Sequence, residues 1–112
     1  MSIKKYQSAQ LVTEDPRQTE YRIFAEVTRS LIDVNRKGVR SPEYFEAVHW
    51  NRRLWTTLQA DLASEGNKLA DDIKARLISL AIWVDKQSSK ALRGQATLTT
   101  LIEVNRSIME GL

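Results

Sequence analysis

A chain of 112 residues, 42% of them hydrophobic, forms one domain with a real core and has no room for a large second module. Cysteine is absent, which excludes a disulfide framework and a thiolate metal site and fits a reducing cytoplasm. The 17 basic and 14 acidic residues leave a net charge of +3. The signs are interspersed along the whole length, which describes an ordinary solvated surface better than a dedicated nucleic-acid face.

The N-terminal stretch Met1 to Tyr6 has charge but no apolar run behind it, so it does not read as a signal peptide. Residues 3–12 are a weaker candidate for a short extra helix. Asp15-Pro16-Arg17-Gln18 is a helix start, with Asp as cap, Pro at the first helical position and Gln three residues after the cap. This first long helix runs to Lys37 and stops at Gly38. Its expected apolar stripe is Tyr21, Phe24, Ala25, Thr28, Leu31, Ile32 and Asn35.

Ser41-Pro42-Glu43 starts a second helix that runs to about Ala63. Its stripe is Tyr44, Ala47, Asn51, Leu54, Trp55, Leu58 and Leu62, with Val48 at one edge. A third begins near Ala70 or Asp71, with two acidic residues in its first turn, and continues to Arg93 with Gly94 as its stop. Its stripe is Leu69, Ile73, Leu77, Leu80, Ala81, Val84 and Ala91. The run from Leu77 to Val84 is too short to span a bilayer, which takes about 20 apolar residues. Thr97 caps a last helix ending at Glu110 or Gly111, with the stripe Leu98, Leu101, Ile102, Asn105, Ile108, Met109 and Leu112. No alternating strand pattern occurs. The expected fold is all-α: residues 1–112 as a single compact bundle of about four amphipathic helices, joined by connections short enough to make neighbours antiparallel.

On the third helix Ile78 and Ile82 lie off the main stripe, and Trp83 lies on the other flank. Either this is a central helix packed on several sides, or part of its surface is left open for a partner. Trp50, at the edge of its own stripe, reads in the same two ways, as boundary packing or as an interface anchor.

Asn-Arg occurs three times, at Asn35, Asn51 and Asn105, and each Asn falls on an apolar stripe. A buried amide left unsatisfied costs about 1–3 kcal/mol. The structural reading is therefore a set of buried polar pins that fix helix register. The functional reading is that Asn51 and Asn105 bond the backbone of a bound peptide. Asn35, close to Gly38, can instead help to end its own helix.

Catalytic and cofactor signals are missing. His49 is the single histidine, placed opposite its stripe, and cannot make a metal site alone. The pairs Asp71/Asp72 and Glu43/Glu46 sit in first turns of helices, where the macrodipole explains them. There is no phosphate-binding glycine loop. The expectation is a protein that is not an enzyme and needs no cofactor.

Three stretches, taken in order and spacing, carry a resemblance. They are Thr19-Glu20-Tyr21-Arg22-Ile23-Phe24 with Val27-Thr28-Arg29-Ser30-Leu31; Asn51-Arg52-Arg53-Leu54-Trp55 with Asp61-Leu62; and Ile108-Met109-Glu110-Gly111-Leu112. From about Arg17 to Leu112 the chain resembles the FlaF family of bacterial flagellar biosynthesis regulators, of the alphaproteobacterial type. The resemblance implies a small helical cytoplasmic factor needed to make the flagellar filament. It acts between flagellin synthesis and export, beside a second regulator, FlbT, which is associated with flagellin messenger RNA.

The family is associated with flagellin itself, as a secretion chaperone or assembly factor. Flagellin is exported unfolded and its termini are amphipathic helix-formers, which suits a helix-in-groove mode of capture. The candidate partner-binding residues are Trp50, Arg53, Ile78, Ile82 and Trp83. The alternative is a post-transcriptional regulator acting on RNA or through FlbT. It would use a basic patch of Arg36, Lys37, Arg40, Arg52 and Arg53 if the first two helices are antiparallel. An obligate oligomer burying the extra apolar face is a third possibility.

Overall fold

The computed structural model describes residues 16–111. Within them are four α-helices: α1 (Pro16–Lys37), α2 (Pro42–Ala63), α3 (Asp71–Leu92) and α4 (Thr99–Glu110). The short helix expected over residues 3–12, the Asp15 cap and the packing of Leu112 lie outside the described residues.

The helix ends follow from local chemistry. Ser41 caps α2 by accepting a hydrogen bond on Oγ from the Tyr44 N–H at 3.3 Å, with Pro42 at the first helical position. Gly38 and Gly94 take left-handed backbone angles, φ 68° and 75°, which a side chain would oppose. At the end of α3 the N–H groups of Gly94 and Gln95 donate to the carbonyls of Ala91 and Lys90, the double closure that a glycine just past the helix permits. One expected cap is displaced. Leu98, not Thr97, is the N-cap of α4, and its own side chain makes no capping bond. Leu98 is fully buried.

Long-range contacts fix the directions. Phe24 meets Trp55 edge-on, with ring centroids 5.9 Å apart, while Val34 and Lys37 line one groove with Glu43 and Ala47, so α1 and α2 are antiparallel. Tyr44 donates to the Ala91 carbonyl, and Arg52 bonds Asp85, so α2 and α3 are antiparallel. Asn35 reaches Leu98, and Thr28 reaches Asn105, so α4 runs antiparallel to α1.

The core contains Phe24, Leu31, Val34, Tyr44, Ala47, Val48, Trp55, Ala81, Val84, Ala91, Leu98, Leu101 and Ile102. Two of the expected stripes require correction. On α1, Val27 and Val34 are buried whereas Tyr21 is 48% exposed. The buried face of α1 is therefore turned toward α2 from the expected line. Of the expected α3 stripe, Leu69 lies before the helix begins, and Leu69 and Ile73 are 44% and 43% exposed, so only the C-terminal half of that stripe is core. The helices are of unequal length. α1, α2 and α3 each have 22 residues and α4 has 12, so α4 spans about 18 Å against about 33 Å for its neighbours.

Tyr44 ties α2 to α3 from a buried position, its hydroxyl donating to the Ala91 carbonyl at 3.3 Å. Burial raises its pKa above the ordinary tyrosine value, and Arg40 acts in the opposite sense. Because the folded-state value is raised, the contribution of Tyr44 is fully present below the unfolded value and is lost as pH rises through the folded one. Alkaline titration of Tyr44→Phe, followed by urea melts, should therefore show a shallower loss of stability than the parent. Parallel curves would refute this assignment.

Candidate functional site

The sequence singled out three asparagines, and all three are structural. The Asn105 side chain lies at the centre of the bundle. Its Oδ1 accepts from the Trp55 indole N–H at 2.9 Å. Its Nδ2 donates to Asn51 Oδ1 at 2.7 Å and to Thr28 Oγ1 at 3.2 Å. Asn51 and Asn105 have no exposed surface, and Thr28 and Trp55 retain 3% and 1%. The amide orientations follow from one fact: an indole nitrogen can only donate. It must face Asn105 Oδ1, which turns Asn105 Nδ2 toward Asn51 and makes the Asn51 oxygen the acceptor. Asn51 Nδ2 is left without an acceptor among the described residues. Sealed in this way, Asn51 and Asn105 are not available to a peptide backbone, and the functional reading of the pair is overturned. Asn35 does not end its own helix either. Its Oδ1 accepts from the Leu98 N–H at 3.3 Å and so anchors the start of α4.

The basic patch is also partly dispersed. Arg40 stacks over the Phe45 ring at 5.4 Å from the centroid and donates from Nη2 to the Leu92 carbonyl. Arg52 donates to Asp85 Oδ1 from Nε at 3.0 Å and from Nη2 at 2.8 Å, and reaches Ser89 Oγ at 3.0 Å. Two of the five cations thus have partners within the fold. His49 is exposed, as expected. No group of three or more His, Asp or Glu side chains suited to a metal ion occurs among the described residues.

The five candidate partner-binding residues fall on different surfaces. Trp50 is 41% exposed and Ile82 45%; Arg53 is exposed, and Ile78 and Trp83 are half-buried. Trp83 packs against the edge of the core. Trp50 and Arg53, three residues apart, share a face of α2. Arg52, on the side of α2 away from Trp50, meets α3 through Asp85. Ile82 lies on the outer side of α3, so it does not extend the Trp50 surface. α3 is not enclosed on all sides: within the described residues it packs against α2 and α4.

What the structure does build around Trp50 is a groove between α1 and α2 of about 530 Å³. Its apolar lining is the buried Val34 and Ala47 and the exposed Trp50. Asp33, Lys37, Glu43 and Glu46, with the uncharged Ser30, make a polar rim. The Glu43 carboxyl is held below the usual range, first by a hydrogen bond from its own backbone at the start of α2 and then by the Ser41 hydroxyl, so it is ionised at neutral pH. An exposed tryptophan beside an apolar lining with a polar rim matches the anatomy of a protein-binding anchor point. Val34 was missed from sequence because it lies off the expected α1 stripe. The available signal was its seven-residue spacing from Val27.

Nothing here resembles a membrane span: no helix among the described residues is long and apolar enough to cross a bilayer. Compared with known families, the chain matches the model described as flagellar protein FlaF over residues 2–112. No curated protein and no solved structure matches it.

Proposed function

The chain belongs to the FlaF family of flagellar proteins, and from that premise we propose that it binds flagellin in the cytoplasm as a secretion chaperone, linking flagellin synthesis to export. The observation that carries the reading is the α1–α2 groove with Trp50 exposed on it. An amphipathic helix can lay an apolar side chain against Val34, Ala47 and Trp50 while its polar flanks meet the polar rim. Such a contact is small, and its weakness suits a chaperone that must release its cargo. The reading assigns binding and no catalysis. The alternative of RNA binding through a basic patch is weakened by the commitment of Arg40 and Arg52 to partners within the fold.

Calorimetric titration with flagellin at low and high salt tests this. The expected result is saturable binding that survives high salt, with a negative heat-capacity change. Trp50→Ala should weaken it by at least about tenfold, the loss of about 1.4 kcal/mol typical of an interface anchor. Absence of binding overturns the flagellin reading and makes FlbT and flagellin messenger RNA the next partners to test. Undiminished binding by Trp50→Ala overturns the site. Binding that collapses with salt indicates phosphate-type electrostatics instead.

A further inference from the structure

α1 separates two grooves of opposite charge. On the α2 side, Asp33, Glu43 and Glu46 outnumber Lys37. On the α4 side lies a second groove, of about 270 Å³, with Ile32 and the buried Ile102 as its apolar lining. Here Arg36 and Arg106 outnumber the single carboxylate, Glu103. Both arginines are exposed. Unlike Arg40 and Arg52, which are bonded within the fold, they make no hydrogen bond or ion pair among the described residues. Asn35 and Thr99 complete the lining. Asn35 Oδ1 is engaged by the Leu98 N–H, so the amide has its own N–H donors to offer, and Thr99 adds a hydroxyl.

We propose that the α1–α4 groove is a second protein-docking site, and that it takes an amphipathic segment of a partner presenting a carboxylate beside an apolar side chain. The chemistry of the lining selects this occupant. The groove is smaller than small-molecule pockets, which hold roughly 300–1,000 Å³, so it suits the side chains of a segment that stays largely outside. An apolar side chain packs against Ile32 and Ile102. The neighbouring carboxylate takes paired N–H groups from Arg36 or Arg106, the strong form of a charged hydrogen bond, as arginine clusters do when they read acidic motifs. A nucleic-acid strand fits less well, because it would carry successive phosphates past Glu103 with only two arginines to neutralise them. The opposite charge of the two rims also sorts partners: basic flanks are favoured beside Trp50 and acidic flanks beside Arg36. This inference concerns the α1–α4 groove and stands whether or not the α1–α2 groove binds flagellin.

NMR titration of the full chain with three synthetic helical peptides tests this. The peptides share one leucine-bearing face and differ only in its flanking positions, which carry Glu, Gln or Lys. The expected result is saturable shifts at Ile32, Asn35, Thr99 and Ile102 with the Glu peptide, binding weaker by about fivefold or more with the Gln peptide, as loss of an exposed ion pair predicts, and no shifts at these four residues with the Lys peptide. Arg36→Glu/Arg106→Glu should reverse the order of the Glu and Lys peptides at this groove, and the milder Arg36→Gln/Arg106→Gln should level all three. An unchanged Trp55 indole signal shows that each variant is folded, and unchanged Trp50 signals show that the α1–α2 groove is intact. Absence of shifts at the four residues with the Glu peptide overturns the proposal, as do equal affinities for the three peptides or a preference that survives both variants. Shifts at the same residues from a uridine oligonucleotide and not from the Glu peptide would make nucleic acid the occupant. Shifts that appear on dilution of the protein alone would make it a second copy.

Discussion

Asn105→Ala is expected to lower the unfolding free energy by about 3 kcal/mol or more, because it leaves a buried donor and a buried acceptor without partners. The Trp55 indole N–H loses its acceptor and Asn51 Oδ1 loses the stronger of the bonds made by Asn105, at 2.9 and 2.7 Å respectively. Both residues are sealed from water, so solvent cannot replace the bonds. For a domain near this size the change corresponds to a fall in melting temperature of roughly 15 °C. The double variant Asn51→Ala/Asn105→Ala should cost clearly less than the sum of the single variants, since removing Asn105 already orphans Asn51. Urea denaturation of the four proteins in the cycle measures this. A single-variant loss below about 1 kcal/mol would mean that the network is not closed as described.

Val84→Asp should abolish or nearly abolish folding, whereas Ile82→Asp, two residues away on the same helix, should fold with stability close to the parent. Val84 is fully buried and Ile82 is 45% exposed. A carboxylate at position 84 would be an uncompensated charge in the core, a class of substitution whose cost exceeds about 4 kcal/mol and consumes much of the roughly 5–15 kcal/mol that holds a domain together. At position 82 the carboxylate stays in water, and the expected change is below about 1 kcal/mol. Circular dichroism melts of the pair settle the orientation of α3. Unfolding of Ile82→Asp would show that position 82 is core, and a stable Val84→Asp would show that the helix is rotated from the arrangement described.

Helix boundaries were legible in the sequence because they rest on local chemistry. Proline is tolerated at the first helical turn, as at Pro42, and glycine adopts the left-handed angle just past the end, as at Gly38 and Gly94. Burial was legible only where a neighbour covers the stripe. The α2 stripe held, and Val48, placed at its edge, is fully buried. The expected lines failed at Tyr21, Leu69 and Ile73, because whether an apolar residue is covered depends on the elements packed beside it and not on its own helix. That Asn51 and Asn105 were buried pins followed from their position on apolar faces. That they bond each other did not, since 54 residues separate them and no local pattern encodes the pairing. The Trp50 groove was half legible. The tryptophan was conspicuous, but the lining includes Val34, which takes part only because α1 is turned toward α2.

The three tryptophans occupy three different environments: Trp55 at 1% exposure with its N–H bonded to Asn105, Trp83 half-buried at the edge of the core, and Trp50 at 41% exposure. Their light emission should therefore sort by depth. A collisional quencher dissolved in the buffer will extinguish Trp50 first and leave Trp55 as a shielded, blue-shifted remainder that brightens or dims only when the bundle itself opens. The native molecule thus carries two optical reporters of separate events, one for occupation of its surface and one for the integrity of its interior, without any added dye.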